Sequence, residues 1–277
     1  MTGLSAFQRF TDTLQPGDTL MPVLFIGHGS PMNGIEDNAF SRQWASLARD
    51  IPTPSAVLVV SAHWLSRGTR VTAMDFPRTI HDFGGFPQAL FDVQYPAPGS
   101  PSIALDMAAA IRSTHVEADH DWGLDHGTWT IVRHMYPEAD IPVLQLSIDY
   151  TKPPQYHYEL AAELLALRRK GVLIIGSGNM VHNLRMVAWD RINQPGYGFD
   201  WALKLNDTFK TLIASGDHKH LVNFTGLGPE AALAIPTPEH YLPLLYTLGL
   251  RTGRDDVSFF NDRAVGGSLT MTSVRIG

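Results

Sequence analysis

The sequence of 277 residues contains no cysteine. Disulfide bridges, thiolate metal sites and cysteine nucleophiles are therefore excluded. Charged residues make up only 17% of the chain, they form no basic block, and the net charge is −6. We therefore expect neither a nucleic-acid partner nor an anionic membrane partner, because both attract clustered positive charge.

Long apolar runs are absent as well. No stretch approaches the ~18 consecutive apolar residues of a membrane-spanning helix. The first twenty residues, MTGLSAFQRFTDTLQPGDTL, contain an arginine at position 9 and no sustained apolar segment, which does not fit a signal peptide or a membrane anchor. We therefore expect a cytoplasmic protein in which residues 1–277 form a single domain and residues 1–20 are its N-terminal extension.

Two hydrolase motifs are also missing. The chain has no HExxH helix motif, which argues against a zincin protease, and no G-x-S-x-G elbow, since GHGSP has a different spacing. The glycine-rich stretch GSGNMVHN is neither a Walker loop nor a G-x-G-x-x-G turn, so we do not expect a nucleotide phosphate there.

The apolar residues that are present fall into short, continuous runs. Each run is rich in Val, Ile and Leu and bounded by turn residues, which is typical of strands covered on both faces. These predicted strands are residues 22–27, 55–62, 141–148 and 171–178. Predicted helices, with N-cap, amphipathic or terminal-glycine signals, lie at residues 100–113, 155–171 and 199–216. Alternating strands and helices predict an α/β fold with a mostly parallel central sheet flanked by helices.

Three of the predicted strands are followed by a histidine. His28 follows the first strand, His63 the second, and His182 the fourth, where we expect it in the first turn of the next helix. Ligands of open α/β sheets bind beyond the carboxyl ends of the strands, so these histidines are expected to meet at one edge. A fourth candidate, His240, lies in the proline-stiffened segment IPTPEHYLPLLY.

Converging histidines without cysteine favour zinc, iron or another borderline divalent ion. The alternative for any one of them is a histidine that is merely packed and hydrogen-bonded in the core or a loop. The sequence is compatible with an enzyme, and the alternative of a non-catalytic protein that binds a metal or a small molecule also remains open.

Six segments of the chain resemble the class III extradiol ring-cleavage dioxygenases, and within them the 4,5-DOPA dioxygenase branch. These are GHGSPMN, SAHW, HDFGGFPQALFDVQYPAPGSP, WGLDHGTW, GSGNMVHNLR and IPTPEHYLPLLY, which occur in family order from about residue 22 to the end. The resemblance implies an oxidoreductase that opens the ring of a catechol such as L-DOPA between carbons 4 and 5, with dioxygen as co-substrate.

The resemblance also implies roles for individual histidines. It places metal ligands at His28, His63 and His240, with His182 either a fourth ligand or a group acting in the chemistry, and it makes His126 the histidine that handles substrate protons. Catechol-cleaving relatives hold Fe(II) with two histidines and a glutamate. Here Glu239 adjoins His240, and because neighbouring side chains of an extended segment point to opposite faces, we do not expect both to reach one ion.

Several further expectations follow from this interpretation. The metal is one divalent ion: Fe(II) is expected for catalysis, and Zn(II) also suits an all-histidine site. The aromatic-rich loop 82–101, Trp129 and Tyr241 are candidate walls for a flat substrate, and His81 and Arg185 are weaker candidates near it. A zinc-dependent hydrolase using the same histidines is the alternative activity. The chain is expected to be a monomer or a small homo-oligomer.

Overall fold

Four parallel strands form the middle of an eight-stranded sheet in the computed structural model, which describes residues 20–277. In chain order they are β1 (Val23–Gly27), β2 (Ala56–Ser66), β5 (Val143–Asp149) and β6 (Val172–Gly178). They lie side by side in the order β5–β2–β6–β1, and every neighbouring pair is parallel. The predicted strands and the parallel sheet are confirmed.

Shorter strands extend the sheet on both sides. Beyond β5 lie β3 (Thr69–Thr72), which is antiparallel to it, and β4 (Val116–Asp119). Beyond β1 lie the antiparallel strands β10 (Ser273–Ile276) and β7 (Val257–Phe260). A separate small pair consists of β8 (Ala264–Val265) and β9 (Leu269–Thr270).

Helices cover both faces of the sheet. They are α1 (Ala39–Asp50), α2 (Gln88–Phe91), α3 (Pro101–Ala110), α4 (His126–Met135), α5 (Pro154–Glu163), α6 (Leu165–Arg169), α7 (Asp200–Ser215), α8 (His218–Val222), α9 (Pro229–Ala234) and α10 (Leu242–Gly249). The expected signals hold at α3, whose N-cap is the side chain of Ser100, and at α7, which ends at the left-handed Gly216. The predicted helix 155–171 is divided at Leu164, whose N–H bonds the carbonyl of Ala161 in a tighter turn.

The core consists of two apolar layers, one on each face of the sheet. Successive side chains of a strand point to opposite faces. Accordingly, Val23 and Phe25 of β1 join one layer, and Leu24 and Ile26 join the other. All four are fully buried, which is why the strand is a continuous apolar run instead of an alternating one.

Two expectations concern the ends and margins of the chain. The predicted N-terminal extension, residues 1–20, lies outside the described residues except for Leu20. Among the described helices, none is long and apolar enough to cross a membrane.

Candidate active site

Five histidines converge at the edge of the sheet where the parallel strands end. The ring centroids of His63 and His126 are 3.9 Å apart, and those of His182 and His240 are 3.6 Å apart. His28 lies between these pairs, 5.0 Å from His63 and 5.3 Å from His240. The structure therefore brings together every histidine that the sequence interpretation selected.

The strands deliver two of these histidines. His28 follows the last residue of β1, and its N–H bonds the carbonyl of Gly178 at the end of β6. His63 was expected after its strand, but β2 continues to Ser66, so the histidine lies within it. The register with β5 shifts between Val60 and Leu65, and this irregularity places His63 where the regular ladder is interrupted.

His126 is the first residue of α4. The preceding residue, Asp125, is the N-cap, and its carboxylate accepts a hydrogen bond from the N–H of Thr128. The same buried carboxylate accepts hydrogen bonds from the Ser61 hydroxyl and the Gln145 amide. These bonds attach the start of α4 to β2 and β5 and thereby fix the position of His126.

His182 and His240 lie on irregular segments. The expected position of His182 in a helix is wrong: it forms an isolated bridge with Leu269, and its N–H bonds the carbonyl of Ala234. His240 lies in a turn before α10, and its carbonyl accepts the N–H of Asn179. Tertiary hydrogen bonds fix these two residues, which is why local sequence patterns did not predict their conformation.

Two glycines permit the close packing of this edge. A Cβ atom at Gly178 would overlap the carbonyl oxygen of His240. A Cβ atom at Gly127 would lie 2.6 Å from the Ser61 hydroxyl and 2.9 Å from the His63 ring. The glycine-rich stretch around Gly178 therefore permits the close approach of the His240 backbone.

A serine determines the tautomer of His28. The Ser177 hydroxyl donates to the carbonyl of Gly127, so its oxygen is left to accept from Nδ1 of His28, 2.9 Å away. His28 therefore carries its proton on Nδ1, and its Nε2 lone pair points into the cluster. Such an outer hydrogen bond is typical of metal-binding histidines.

The carboxylate of Asp82 contacts the Nδ1 atoms of two other histidines, His63 and His126. Its Oδ2 lies 3.0 Å from Nδ1 of His126 and 3.3 Å from Nδ1 of His63. Its Oδ1 accepts the backbone N–H of His126 at 2.9 Å. Burial by itself would raise the pKa of Asp82, but the hydrogen bonds from His126 outweigh it, so the pKa is lowered and the group is a carboxylate.

The carboxylate of Glu239 contacts the imidazole ring of His240 on its Nδ1 side. Its Oε1 lies 3.4 Å from Nδ1 of His240. The segment is a turn and not the extended strand that was expected. Glu239 contacts the Nδ1 side of His240, and the expectation that the two side chains do not both reach one ion stays a prediction. Although burial opposes it, hydrogen bonds from His240 and Thr237 lower the pKa of Glu239 to about 2. A charged carboxylate therefore orients His240 with its Nε2 away from Glu239.

The donor set fits a cation. The Nε2 atoms of His28 and His63 face one another at 3.1 Å, although both rings have their Nδ1 hydrogen atoms engaged elsewhere. Two facing lone pairs need a positive charge between or beside them. Among the described residues, ring nitrogens of His28, His63 and His126 all lie within 4.8 Å of one another. These residues offer the imidazole ligands that suit zinc and iron.

Electrostatics keep several of these rings neutral. Burial lowers the pKa of His28 and His63 well below the ordinary 6.5, and the neighbouring histidines lower it further. Burial lowers the pKa of His240 as well, and that of His182 to about 3. Because a histidine must be neutral to bind a metal, this environment prepares the site for an ion.

Only part of the expected aromatic wall lies at the site. Phe83, on loop 82–101, packs edge-on against the His126 ring with centroids 5.6 Å apart. Trp129 is fully buried and donates to the carbonyl of Ile80, and Tyr241 is buried and donates to Leu221. These two rings belong to the core, and their position beside a site residue in the sequence was misleading.

The two weaker candidates for the pocket, His81 and Arg185, differ in their surroundings. His81 lies 3.0 Å from the carbonyl of Val93, and its ring packs on Phe83 and Trp129. Arg185 is exposed and is the middle residue of the 3₁₀ turn Leu184–Met186. Sequence reasoning missed Asp82 and Ser177, since the first is one carboxylate among many and the second resembles an ordinary strand serine. The signal that was available was their position in the segments HDFGG and GSGN.

Comparison with known families identifies the class of protein to which this fold and histidine cluster belong as an aromatic ring-opening dioxygenase. Residues 22–265 match the family described as the catalytic LigB subunit of aromatic ring-opening dioxygenase, and the chain belongs to that family. The expected family is confirmed, and the hydrolase alternative receives no support.

Particular relatives agree with this assignment. The chain is 49% identical over 264 residues to the 4,5-DOPA dioxygenase extradiol of Escherichia coli (strain K12), covering 94% of this chain and 96% of the relative. It is 34% identical to the Beta vulgaris protein of the same name, covering 93% and 97%. A crystal structure of an uncharacterized Escherichia coli K12 protein matches with a TM-score of 0.80 and 42% identity, over 93% of this chain and 100% of that one.

Proposed function

We propose that the protein cleaves L-DOPA or a closely related catechol between carbons 4 and 5, using dioxygen. The observation that carries this proposal is the convergence of five histidines at one sheet edge, three of which have Nδ1 held by Ser177 or Asp82. The relatives named 4,5-DOPA dioxygenase extradiol support the choice of substrate. Both oxygen atoms of O₂ enter the product, which carries an aldehyde and a carboxyl group where the ring bond was.

We assign the metal ligands to His28, His63 and His240, with Fe(II) as the catalytic ion and Zn(II) as a competing occupant. Bound Fe(II) would supply the site for the two catechol oxygens and for dioxygen. On distance alone, His126 joins His28 and His63. We favour His240 as the third ligand because the carboxylate of Glu239 orients it and its segment matches the family motif.

His126 and His182 then remain for proton handling. A base must take a proton from the catechol, and an acid must return one as the ring opens. Histidine is the side chain whose titration lies nearest neutrality. His126 is anchored through both its ring and its backbone N–H, which holds its Nε2 in a fixed direction. We assign it this role, with His182 as the second group.

Dioxygen uptake tests the proposal. The protein is freed of metal, reloaded anaerobically with Fe(II) or Zn(II), and mixed with L-DOPA and a panel of simple catechols. We expect uptake with Fe(II) only, with a yellow product heavier than its substrate by the mass of one O₂. Stoichiometric metal binding without uptake for any catechol would contradict the proposed function.

A further inference from the structure

The carboxylate of Asp82 lies where three N–H groups meet. The Nδ1–H and the backbone N–H of His126 donate hydrogen bonds to it at 3.0 and 2.9 Å, and Nδ1 of His63 lies in ionic contact 3.3 Å from its Oδ2. The Asp82 side chain is only 18% exposed, and those of His63 and His126 are 19% and 7% exposed. One group, carried on a loop, therefore contacts two imidazoles that come from different elements, β2 and α4.

Only an acceptor suits this position. An ionised carboxylate has two oxygens and no hydrogen, so it accepts both hydrogen bonds from His126 and also attracts an N–H at Nδ1 of His63. An asparagine would turn an NH₂ group towards one of them, and a hydrogen-bond donor would then face a donor. The ring that lost its acceptor would move or change its tautomer.

The tautomers have a direct consequence for the site. The hydrogen bond to His126 and the 3.3 Å contact with His63 both favour a proton on Nδ1, so both rings present an Nε2 lone pair on the side away from the loop. His63 then faces His28, whose Nε2 lies 3.1 Å away. The neighbouring Phe83 packs edge-on against the ring of His126, which restrains that ring from a second direction.

We propose that Asp82 is a positioning residue that sets the tautomer and orientation of His63 and His126 together. It thereby couples a metal ligand to the proton-handling histidine. The proposal rests on the proposed function only where it calls His63 a metal ligand and His126 the proton-handling histidine. The contacts of Asp82 with the two rings do not depend on those roles. The proposal predicts that a change at Asp82 alters the metal affinity of the histidine cluster as well as turnover.

The matched experiment compares Asp82→Asn with Asp82→Glu and with Asp92→Asn. Asp92 lies on the same loop, and its carboxylate contacts only the exposed Gln88 among the described hydrogen bonds. For Asp82→Asn we expect Zn(II) affinity, measured by chelator competition, to fall by about 10- to 100-fold. We expect kcat to fall by a larger factor than KM rises, and Asp82→Glu to recover part of the affinity. Asp92→Asn should equal the unaltered protein.

The tautomers are also measured directly, without any variant. In the Zn(II)-loaded protein with ¹⁵N-labelled histidine, we expect NMR to show protons on Nδ1 of His63 and His126. Protons on Nε2 of these residues would overturn the proposal, and so would Asp82→Asn with unchanged Zn(II) affinity and kcat. The Zn(II) affinity and the NMR spectrum are both measured on zinc-loaded protein and need no oxygenase activity. A protein without that activity would contradict the proposed function, while the role of Asp82 would still be decided by these two measurements.

Discussion

The imidazole rings of His182 and His240 lie parallel, with centroids 3.6 Å apart and planes inclined by only 9°. A ring-nitrogen lone pair lies in the plane of its ring. Two parallel stacked rings therefore hold their lone pairs in separate, nearly parallel planes, so the lone pairs do not point at one common ion. This arrangement favours one metal ligand and one neighbouring group over two ligands. It agrees with the proposal that only one of His182 and His240 binds the metal, and the proposal assigns that role to His240.

Alanine variants separate these two roles. We expect His240→Ala to lose bound metal, because an imidazole ligand and its Glu239 contact are both removed. We expect His182→Ala to retain metal and to lose kcat by about 10²- to 10⁴-fold, the usual contribution of a proton-transfer group. Metal analysis and dioxygen uptake on the same samples measure both. Retained metal in His240→Ala together with loss in His126→Ala would reassign the third ligand to His126.

Gly178→Ala tests the close approach of β6 and the His240 turn. The new Cβ would overlap the carbonyl oxygen of His240, so the turn must shift. We expect weaker metal binding and a loss of about 1–3 kcal/mol in the free energy of unfolding. Gly84→Ala is the control, because a Cβ there meets no atom within 4 Å. Equal metal affinity in both variants would refute this packing role.

Arg168→Ala tests a buried ion pair remote from the histidines. Arg168 is fully buried, makes two hydrogen bonds to the carboxylate of Asp255 at 2.8 Å, and donates to the carbonyls of Met21 and Leu250. Its removal leaves a buried charge unpaired, so we expect a loss of about 3–5 kcal/mol in urea unfolding. The exposed Arg169→Ala should change stability by less than about 0.5 kcal/mol. A loss at Arg168 as small as this control would contradict the prediction.

His157 makes stability depend on pH. It is buried in α5 with Nδ1 3.0 Å from the Tyr246 hydroxyl, and burial lowers its pKa from 6.5 to about 4. Between these values the unfolded chain binds a proton that the folded protein does not, so the free energy of unfolding decreases as the pH falls. The decrease begins near pH 6.5, reaches about 3 kcal/mol, and levels off below about pH 4.

Urea unfolding of His157→Gln from pH 7 to pH 4 isolates this contribution. The variant loses packing at pH 7, but its stability should decrease less on acidification, so its difference from the unaltered protein becomes smaller. His115→Gln, at an exposed position, should follow the unaltered protein throughout. A constant difference between His157→Gln and the unaltered protein would show that His157 titrates alike in both states.

The architecture could be predicted because its signals are local. The four central strands are covered on both faces, so each is a continuous apolar run that can be recognised without its neighbours. The parallel order then brings the strand ends to one edge, which predicted that His28 and His63 would meet. The bounds of the predicted helix 155–171 were harder to predict, because the chain divides at Leu164 within a run of good helix formers.

By itself, then, the sequence determined the fold class, the family and the histidines that converge, through periodicity, strand-end position and six motifs. The tertiary structure alone decided how those histidines are held. Asp82, Ser177 and Glu239 act by contacting rings, and the histidines hydrogen-bonded to Ser177 and Asp82 lie 149 and 44 residues away in the chain. No local pattern encodes such contacts, because packing of the sheet edge brings the groups together and hydrogen-bond geometry then selects each tautomer.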